Sequence, residues 1–179
     1  MPKDTLAAVM TVRDINYYRI KKVASRGLRP GIKALFYNPQ MGTVLMGTLP
    51  LDFDTMRFNL PGGGIDKRQT AAKALCREIE EELGIFTYLP DLLAPLPVVA
   101  HGELPFPRDD FRGKYEFIVA VPNLQLGSIR AQPDSKMLFW PAMPWQEALG
   151  KVKSLAYGGP EMVSLYSKAL MAVPDLLYR

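Results

Sequence analysis

Residues 60–85 read LPGGGIDKRQTAAKALCREIEEELGI and join a glycine-rich segment to a helix. The three glycines at 62–64 predict a turn of unusual backbone freedom, because glycine lacks the Cβ that restricts other residues. Thr70 is a candidate N-cap, and Gly84 is a candidate C-terminal stop. Strong helix formers fill the space between them, so the sequence predicts a helix over residues 71–83.

Four glutamates, Glu78, Glu80, Glu81 and Glu82, crowd the last turn of this predicted helix. Local physics opposes that placement, because the C-terminal end of a helix carries partial negative charge. At about 100° per residue, Glu78, Glu81 and Glu82 fall within about a third of the helix circumference, beside the apolar stripe. Converging carboxylates are ligands that Mg²⁺ and Mn²⁺ prefer. The alternative is an acidic, solvated helix end, and the adjacent glycines favour the diphosphate–metal site.

The segments on either side predict strands that alternate with helices. Pro39 and Gly42 lie in a five-residue link between two apolar segments and predict a hairpin. Pro160 is suited to the first position of a later helix. The predicted strands cover residues 6–12, 32–37, 43–47, 57–60, 98–104, 114–121 and 137–140, and the further helices cover residues 145–152 and 161–172. This alternation indicates an α/β or α+β domain.

Length and composition indicate one ordinary globular domain spanning residues 1–179. The chain is 48% hydrophobic and 22% charged, which excludes a disordered, coiled-coil or collagen-like chain. The longest nearly continuous apolar run, residues 92–100, is far shorter than the ~20 residues of a membrane helix. Cys76 is the single cysteine, which excludes an internal disulfide and makes a reducing, cytoplasmic setting the expectation.

The basic side chains are concentrated at the start of the chain. Residues 1–33 hold eight lysines and arginines against Asp4 and Asp14, whereas the whole chain has a formal net charge of only +4. A basic segment ahead of a faintly acidic body suggests attraction to a polyanion or to phosphate. The alternative is a solvated strand or arm.

Residues 63–85 resemble the Nudix box, written G-x5-E-x7-R-E-U-x-E-E-x-G-U with U a bulky aliphatic residue. Gly63 matches the first glycine, residues 77–79 match the central R-E-U, residues 81–82 match the E-E pair, and residues 84–85 match the closing G-U. One position departs from the pattern, because Gln69 stands where the family has its first glutamate. The resemblance implies a Nudix-like α/β/α sandwich around a mixed sheet.

The resemblance also implies the chemistry of the site. Mg²⁺, with Mn²⁺ as a possible substitute, would be held by Glu78, Glu81, Glu82 and the Gly63 carbonyl, and would lower the pKa of the attacking water. Arg77 would orient a neighbouring carboxylate. In the family the glutamate replaced by Gln69 mainly braces the box arginine, and glutamine keeps the hydrogen-bonding capacity without the charge.

Two positions are open for the general base. In some family members it is the box carboxylate that corresponds to Glu78, and in others it is an acidic residue on a later loop. Asp134 falls in the region of that loop, although a turn aspartate after a proline is an equally good interpretation. Glu103 and Glu116 are weaker rivals, because strand alternation can place either in solvent.

The resemblance implies hydrolysis of a diphosphate bond in a nucleoside diphosphate linked to another moiety. We expect a small, nucleotide-like substrate, no membrane association and a possible homodimer, with nucleic acid an unlikely partner. One alternative is a Nudix-like module that binds a nucleotide or a partner without catalysis, which Gln69 favours. A further alternative is an RNA 5′-end pyrophosphatase, which the basic segment favours.

Overall fold

A computed structural model of the chain describes residues 9–50, 56–107, 110–122, 138–154 and 159–177. Its strands are β1 (Leu28–Asn38), β2 (Thr43–Pro50), β3 (Met56–Asn59), β4 (Gly62–Gly64), β5 (Val98–Leu104), β6 (Gly113–Pro122) and β7 (Leu138–Pro144). Its helices are α1 (Tyr17–Ser25), α2 (Ala71–Leu83), α3 (Pro90–Leu93), α4 (Trp145–Ser154), α5 (Gly159–Met171) and α6 (Val173–Leu177).

All seven strands belong to one mixed sheet with the order β3-β2-β1-β6-β5. The central pair, β1 and β6, is parallel and runs in register from Leu28 opposite Gly113 to Tyr37 opposite Pro122. The other pairings are antiparallel, with β4 against β1 and β7 against β2. The predicted hairpin joins β1 to β2, where Asn38 lies opposite Thr43.

Helices cover both faces of the sheet, and alternation along the strands fills two separate cores. On one face, α1 and α2 pack with Ile32 and Phe36 of β1 and Phe117 of β6. On the other face, α4, α5 and α6 pack with Leu35 of β1 and Ile118 of β6. The predicted α/β/α arrangement around a mixed sheet is therefore confirmed.

Three local predictions are wrong. In its described part, the strand predicted over residues 6–12 is a single bridge from Thr11 to Pro97, followed by a 3₁₀ turn at Val12–Asp14. The basic segment contains the helix α1, which is capped by Asn16 and buries Ile20 and Val23. The glycine triplet forms a short strand, because β1 offers it a hydrogen-bonding partner.

No helix in the described part of the chain has the length and apolarity that crossing a membrane requires.

Candidate active site

The glycine strand β4 lies against β1 more closely than any other residue type would allow. Gly62 has φ +135°, and a Cβ there would lie 2.2 Å from the carbonyl oxygen of Ile32. A Cβ on Gly63 would lie 2.3 Å from Oε1 of Glu78. The glycines thus bring a bare main-chain segment into contact with both the sheet and the carboxylates of α2.

Helix α2 begins and ends as its sequence predicts. Thr70 Oγ1 accepts a hydrogen bond from the Lys73 amide at 3.3 Å, and Gly84 adopts φ +65° at the C-cap. Leu75, Ile79 and Leu83 are fully buried against the sheet. This packing fixes the helix rotation and turns Glu78 and Glu82 toward β4.

Arg77 ties two of the box glutamates together. Its guanidinium lies 2.7 Å from Oε1 of Glu78 and 2.9 Å from Oε2 of Glu81, and it donates to the Gly64 carbonyl at 3.2 Å. Glu78 is 9% exposed, whereas the side chain of Glu81 is 57% exposed. Arg77 therefore links the helix to the glycine strand and neutralises part of the carboxylate charge.

Glu82 and Lys33 both form hydrogen bonds with the main chain of Gly62. The Gly62 amide donates to Oε2 of Glu82 at 2.8 Å, and the Lys33 ammonium donates to the Gly62 carbonyl at 2.6 Å. Lys33 comes from β1 and is only 7% exposed. Gly62 therefore connects a buried lysine of β1 with the half-buried Glu82 of α2.

Burial is the main influence on the pKa of two box glutamates, Glu78 and Glu82. It raises the pKa of Glu78 and of Glu82 above the ordinary value of 4.5. The positive charges of Arg77 and Lys33 oppose this rise at Glu78, and Lys33 and the Gly62 amide oppose it at Glu82. A further cation bound beside Glu78 and Glu82 would therefore stabilise the ionised form of both carboxylates.

Glu116 adds a carboxylate that the box pattern does not contain. It lies opposite Gly31 in the β1–β6 pair and is 5% exposed. A Cβ on Gly31 would lie 3.6 Å from Cγ of Glu116 and 3.3 Å from the Gly63 carbonyl oxygen, so the side chain borders the glycine strand. Its Oε2 is buried without a hydrogen-bond partner among the described residues.

Tyr166 of α5 closes the other side of this polar region. Its hydroxyl donates to Oδ1 of Asn59 at 2.8 Å. Complete burial and the negative charge of Glu116 raise the pKa of Tyr166 well above its ordinary value of 10.0. The phenol therefore remains a neutral donor at the edge of the site.

Two buried polar atoms of the box residues, one of them at the position that departs from the box pattern, have no partner among the described residues. Oε1 of Gln69 and Nε of Arg77 are both buried and lack a hydrogen-bond partner within the described residues. Buried polar groups are usually paired. Neither atom therefore has the hydrogen bond by which the family pattern implies that residue 69 braces the box arginine.

The other predicted site residues have varied placements. Asp134 lies outside the described residues. Glu103 pairs with Arg26 and lies 3.7 Å from the Arg112 guanidinium, so it belongs to a different surface. Among the described residues, no three acidic, cysteine or histidine side chains are gathered closely enough to hold a metal ion. Arg77 pairs with two of the carboxylates instead.

Sequence reasoning singled out Arg77, Glu78, Glu81 and Glu82 and missed Lys33 and Tyr166. A signal for Lys33 existed, because a single charged residue interrupts the apolar run of residues 32–37. Tyr166 carried none, because a tyrosine in an amphipathic helix ordinarily belongs to the core.

Comparisons with known proteins agree with this geometry. The family model described as NUDIX domain matches residues 27–166, which is more than half of the chain. The RNA pyrophosphohydrolase of Erythrobacter litoralis (strain HTCC2594) is 37% identical over 57 residues, which are 32% of this chain. The matched segment spans only 33% of that relative's length.

Solved structures share the fold at low sequence identity. The E. coli ORF135 protein has a TM-score of 0.54 and 22% identity, over 83% of this chain and 92% of that one. The E. coli dihydroneopterin triphosphate pyrophosphohydrolase has a TM-score of 0.54 and 18% identity, over 83% and 98% of the two chains. The predicted family is confirmed by the family model, and these structures confirm its fold. The chain belongs to the Nudix family.

Proposed function

We propose that this chain is a Nudix-type pyrophosphohydrolase that acts on acid anhydrides in phosphorus-containing compounds. Its substrate class is a nucleoside diphosphate linked to another moiety, and Mg²⁺ or Mn²⁺ is required. The observation that carries the proposal is the contact between α2 and β4, where Glu78 lies against Gly63 and Glu82 accepts from the Gly62 amide at 2.8 Å.

The donor atoms are of the kind that a hard divalent cation prefers, and in the described structure the carboxylates would have to move closer together to hold one. Glu78, Glu81 and Glu82 supply carboxylate oxygens, and the Gly63 carbonyl supplies a neutral one. A Cβ at Gly63 would fill the space beside the Glu78 carboxylate. The glycine therefore leaves the Gly63 carbonyl oxygen and the Glu78 carboxylate accessible to one ligand. When bound, the cation supplies polarisation of a phosphoryl oxygen and a water of lowered pKa.

Protein side chains position the carboxylates and supply the general base. Arg77 positions Glu78 and Glu81 through its two ion pairs, at 2.7 and 2.9 Å. Glu78 is one candidate for the general base, since its carboxylate lies against the glycine strand and is held by Arg77. Asp134 is the second candidate and would act from a loop. Glu78→Gln and Asp134→Asn separate these roles, because loss of the general base removes the acidic limb of the pH–rate profile.

A substrate panel tests the activity. Nucleoside diphosphates linked to sugars, nucleotides or other groups are incubated with Mg²⁺ or Mn²⁺, and the phosphorylated products are identified by chromatography. We expect cleavage of at least one compound, abolished by chelation. Glu82→Gln is expected to lose most of the activity, whereas Glu80→Gln, an exposed change on the same helix, is expected to retain it. Equal activity of the two variants would contradict the proposed site.

Thermal shift gives a readout of the metal that does not depend on the substrate. A ligand that binds only the folded chain raises the melting temperature. We expect Mn²⁺ to raise the melting temperature of the wild type and Glu81→Gln to abolish most of that rise, with Glu80→Gln as the control. An unchanged melting temperature of the wild type would remove the metal from the proposal.

The second candidate function is RNA 5′-end pyrophosphohydrolysis. Two observations favour it: the 37% identity to a protein of that name, and a cavity of about 480 Å³ beside α1. The cavity is lined by Tyr18, Arg19, Lys22, Arg26 and Tyr115 among others. Cationic and aromatic side chains suit a strand of nucleotides. A 5′-triphosphorylated RNA in the substrate panel tests this candidate directly.

A non-catalytic binding module is the third candidate, and Gln69 with its unpaired Oε1 is the feature that favours it. Tight binding of a panel compound without turnover, in both the wild type and Gln69→Glu, would make it the better proposal.

A further inference from the structure

The cavity of about 480 Å³ beside α1 is separate from the carboxylate site of α2 and β4. Tyr115 and Phe117 of β6 form one of its walls, on the sheet face that α1 covers. Strand alternation directs the intervening Glu116 to the opposite face. None of the described residues that line the cavity belongs to the box. Its volume falls within the range of small-ligand pockets, roughly 300–1,000 Å³.

One face of α1 supplies the opposite wall of the cavity and carries positive charge. Tyr18, Lys22 and the C-cap residue Arg26 are spaced four residues apart, so their side chains lie one above another on the helix surface. Arg19 lines the cavity beside them. The described lining residues include no carboxylate. The cavity therefore favours an anionic ligand.

Two of the three cations lack a carboxylate partner. Arg26 pairs with Glu103, whereas Arg19 donates to the sulfur of Met10 at 2.8 Å, which is a weak and neutral acceptor. In the described part of the chain, neither Arg19 nor Lys22 makes an ion pair. A phosphate bound between these two side chains would receive charge-assisted hydrogen bonds from both.

Two tyrosines line the same cavity. Tyr18 is 79% exposed, so its ring is available to a ligand. The Tyr115 hydroxyl forms a hydrogen bond with Nδ1 of His101 at 2.7 Å, and its ring lies 5.1 Å from that of Phe117, so its orientation is fixed. Aromatic rings stack on any nucleobase. Cations for phosphate and rings for a base together complement a nucleotide.

We propose that this cavity is a second ligand site, which binds one nucleoside diphosphate or triphosphate without needing a divalent ion. Arg19 and Lys22 bind the phosphates, and Tyr18 and Tyr115 contact the base. From residue 18 to residue 26 a helix rises only about 12 Å, whereas single-strand sites cover roughly 4–16 nucleotides. The short wall therefore favours one nucleotide over an RNA strand. The inference does not rest on the proposed function, because no box residue takes part.

Calorimetric titration of ADP into the intact chain, in the presence of a chelator, tests this site. Tyr18→Ala removes one ring, and a double variant, Arg19→Gln with Lys22→Gln, removes two charges; all three side chains are exposed. Tyr17→Ala and Lys21→Gln are the matched controls, because both side chains are exposed on α1 and do not line the cavity. Adenosine and pyrophosphate are titrated as the separate parts of the ligand.

We expect the wild type to bind one ADP per chain and the double variant to bind it at least about tenfold more weakly, because each cation loses a hydrogen bond to a charged group. Tyr18→Ala should weaken binding about fivefold or more through lost stacking. Both controls should match the wild type, and adenosine and pyrophosphate should each bind more weakly than ADP.

Three outcomes would overturn the inference. They are no binding of ADP in chelator, wild-type affinity in the double variant, and losses of the same size in the control variants. Pyrophosphate that binds as tightly as ADP would overturn the contact with the base. A 5′-triphosphorylated RNA that binds more than about tenfold tighter than ADP, and is lost in the same variants, would make this a site for a strand and overturn the proposal of a single nucleotide.

The same measurements separate this site from the proposed hydrolysis. Glu82→Gln is expected to bind ADP as the wild type does, because Glu82 lies outside the cavity lining. Hydrolysis of a panel compound with no binding of ADP in chelator rejects this inference alone. Binding of ADP in chelator that is sensitive to the double variant, with no hydrolysis of any panel compound, rejects the proposed function alone.

Discussion

Gln69 and Arg77 each carry a buried polar atom without a hydrogen-bond partner among the described residues. Because Oε1 of Gln69 and Nε of Arg77 are both buried without partners in the described part of the chain, a charged acceptor at position 69 should strengthen the brace. A hydrogen bond to a charged group contributes roughly 1.5–3 kcal/mol. We expect Gln69→Glu to raise the melting temperature by at least ~2 °C and to give equal or higher activity.

Differential scanning calorimetry and the substrate panel measure the two effects of Gln69→Glu. Gln69→Ala is the comparison, since it removes the side-chain amide without adding charge. A lower melting temperature for Gln69→Glu than for Gln69→Ala would contradict the idea that the pocket favours an acid.

Glu82 gives the site a pH dependence with a definite sign. Burial raises the pKa of Glu82, so its ionised form costs stability at every pH above that raised value. The cost disappears as the pH falls through the raised pKa toward 4.5, because the folded chain takes up the proton first. Glu82→Gln keeps an acceptor for the Gly62 amide without the charge. In chelator near pH 8 its melting temperature should exceed that of the wild type.

The difference between Glu82→Gln and the wild type should shrink toward pH 4.5, whereas Glu80→Gln should show no such trend. Melting curves between pH 4.5 and 8 measure it. A difference that grows on acidification would mean that Lys33 and the Gly62 amide outweigh the burial of Glu82.

At the residue scale, the sequence could predict the positions that one helix sets, whereas it missed Lys33 and offered Glu116 only as a rival for the general base. Arg77 meets Glu78 and Glu81 because helical neighbours are fixed by their spacing. Lys33 meets Gly62 across the β1–β4 register, and Glu116 reaches the glycine strand across the β1–β6 register. Strand register between segments far apart in the sequence depends on the whole fold. Local sequence patterns therefore do not predict it.

At the element scale, both ends of helix α2 were predictable because Thr70 is a typical N-cap residue and Gly84 a typical C-cap residue. The strand β5 was predicted at residues 98–104, as found. Helix α1 was missed because its sequence, YYRIKKVAS, buries only Ile20 and Val23 and is otherwise basic and exposed. Strand β4 was missed because glycine disfavours strands, and only its pairing with β1 makes it one.

Two glycines on different elements should respond in opposite ways to alanine. Gly62→Ala places a Cβ 2.2 Å from the Ile32 carbonyl oxygen at φ +135°, so we expect loss of several kcal/mol and of activity. Gly150 lies in α4 with nothing within 4 Å of an added Cβ. Gly150→Ala should therefore stabilise the chain by about 0.5–1 kcal/mol. Urea unfolding measures both variants, and equal effects would contradict the assigned backbone geometry.

At the scale of the whole molecule, the basic surface and the carboxylate site are separate features. Arg19 and Lys22 line the cavity beside α1, and Lys21 is exposed on the same helix. A single-stranded nucleic acid that uses such groups loses affinity with a log–log salt slope of roughly −0.7 per phosphate contact. We expect neutralising all three residues to change the Michaelis constant for a small substrate less than about threefold. Binding of a 5′-triphosphorylated RNA at physiological salt should be weak.

Filter binding over a range of salt concentrations measures the RNA affinity. Exposed lysines elsewhere, such as Lys67 and Lys73, provide a charge-matched control. Tight, salt-sensitive binding that disappears only in the variant of residues 19, 21 and 22 would promote RNA-end hydrolysis to the leading function.

The parallel pairing of β1 with β6 also has a consequence for synthesis on the ribosome. The partners are about 85 residues apart along the chain. At usual translation speeds, β6 emerges roughly 5–15 s after β1. During that interval the apolar centre of the sheet has one edge uncovered, although the hairpin to β2 and the glycine strand are already available. Rare codons between residues 38 and 113 would lengthen this interval and lower the soluble yield through aggregation of nascent chains, without altering the finished protein.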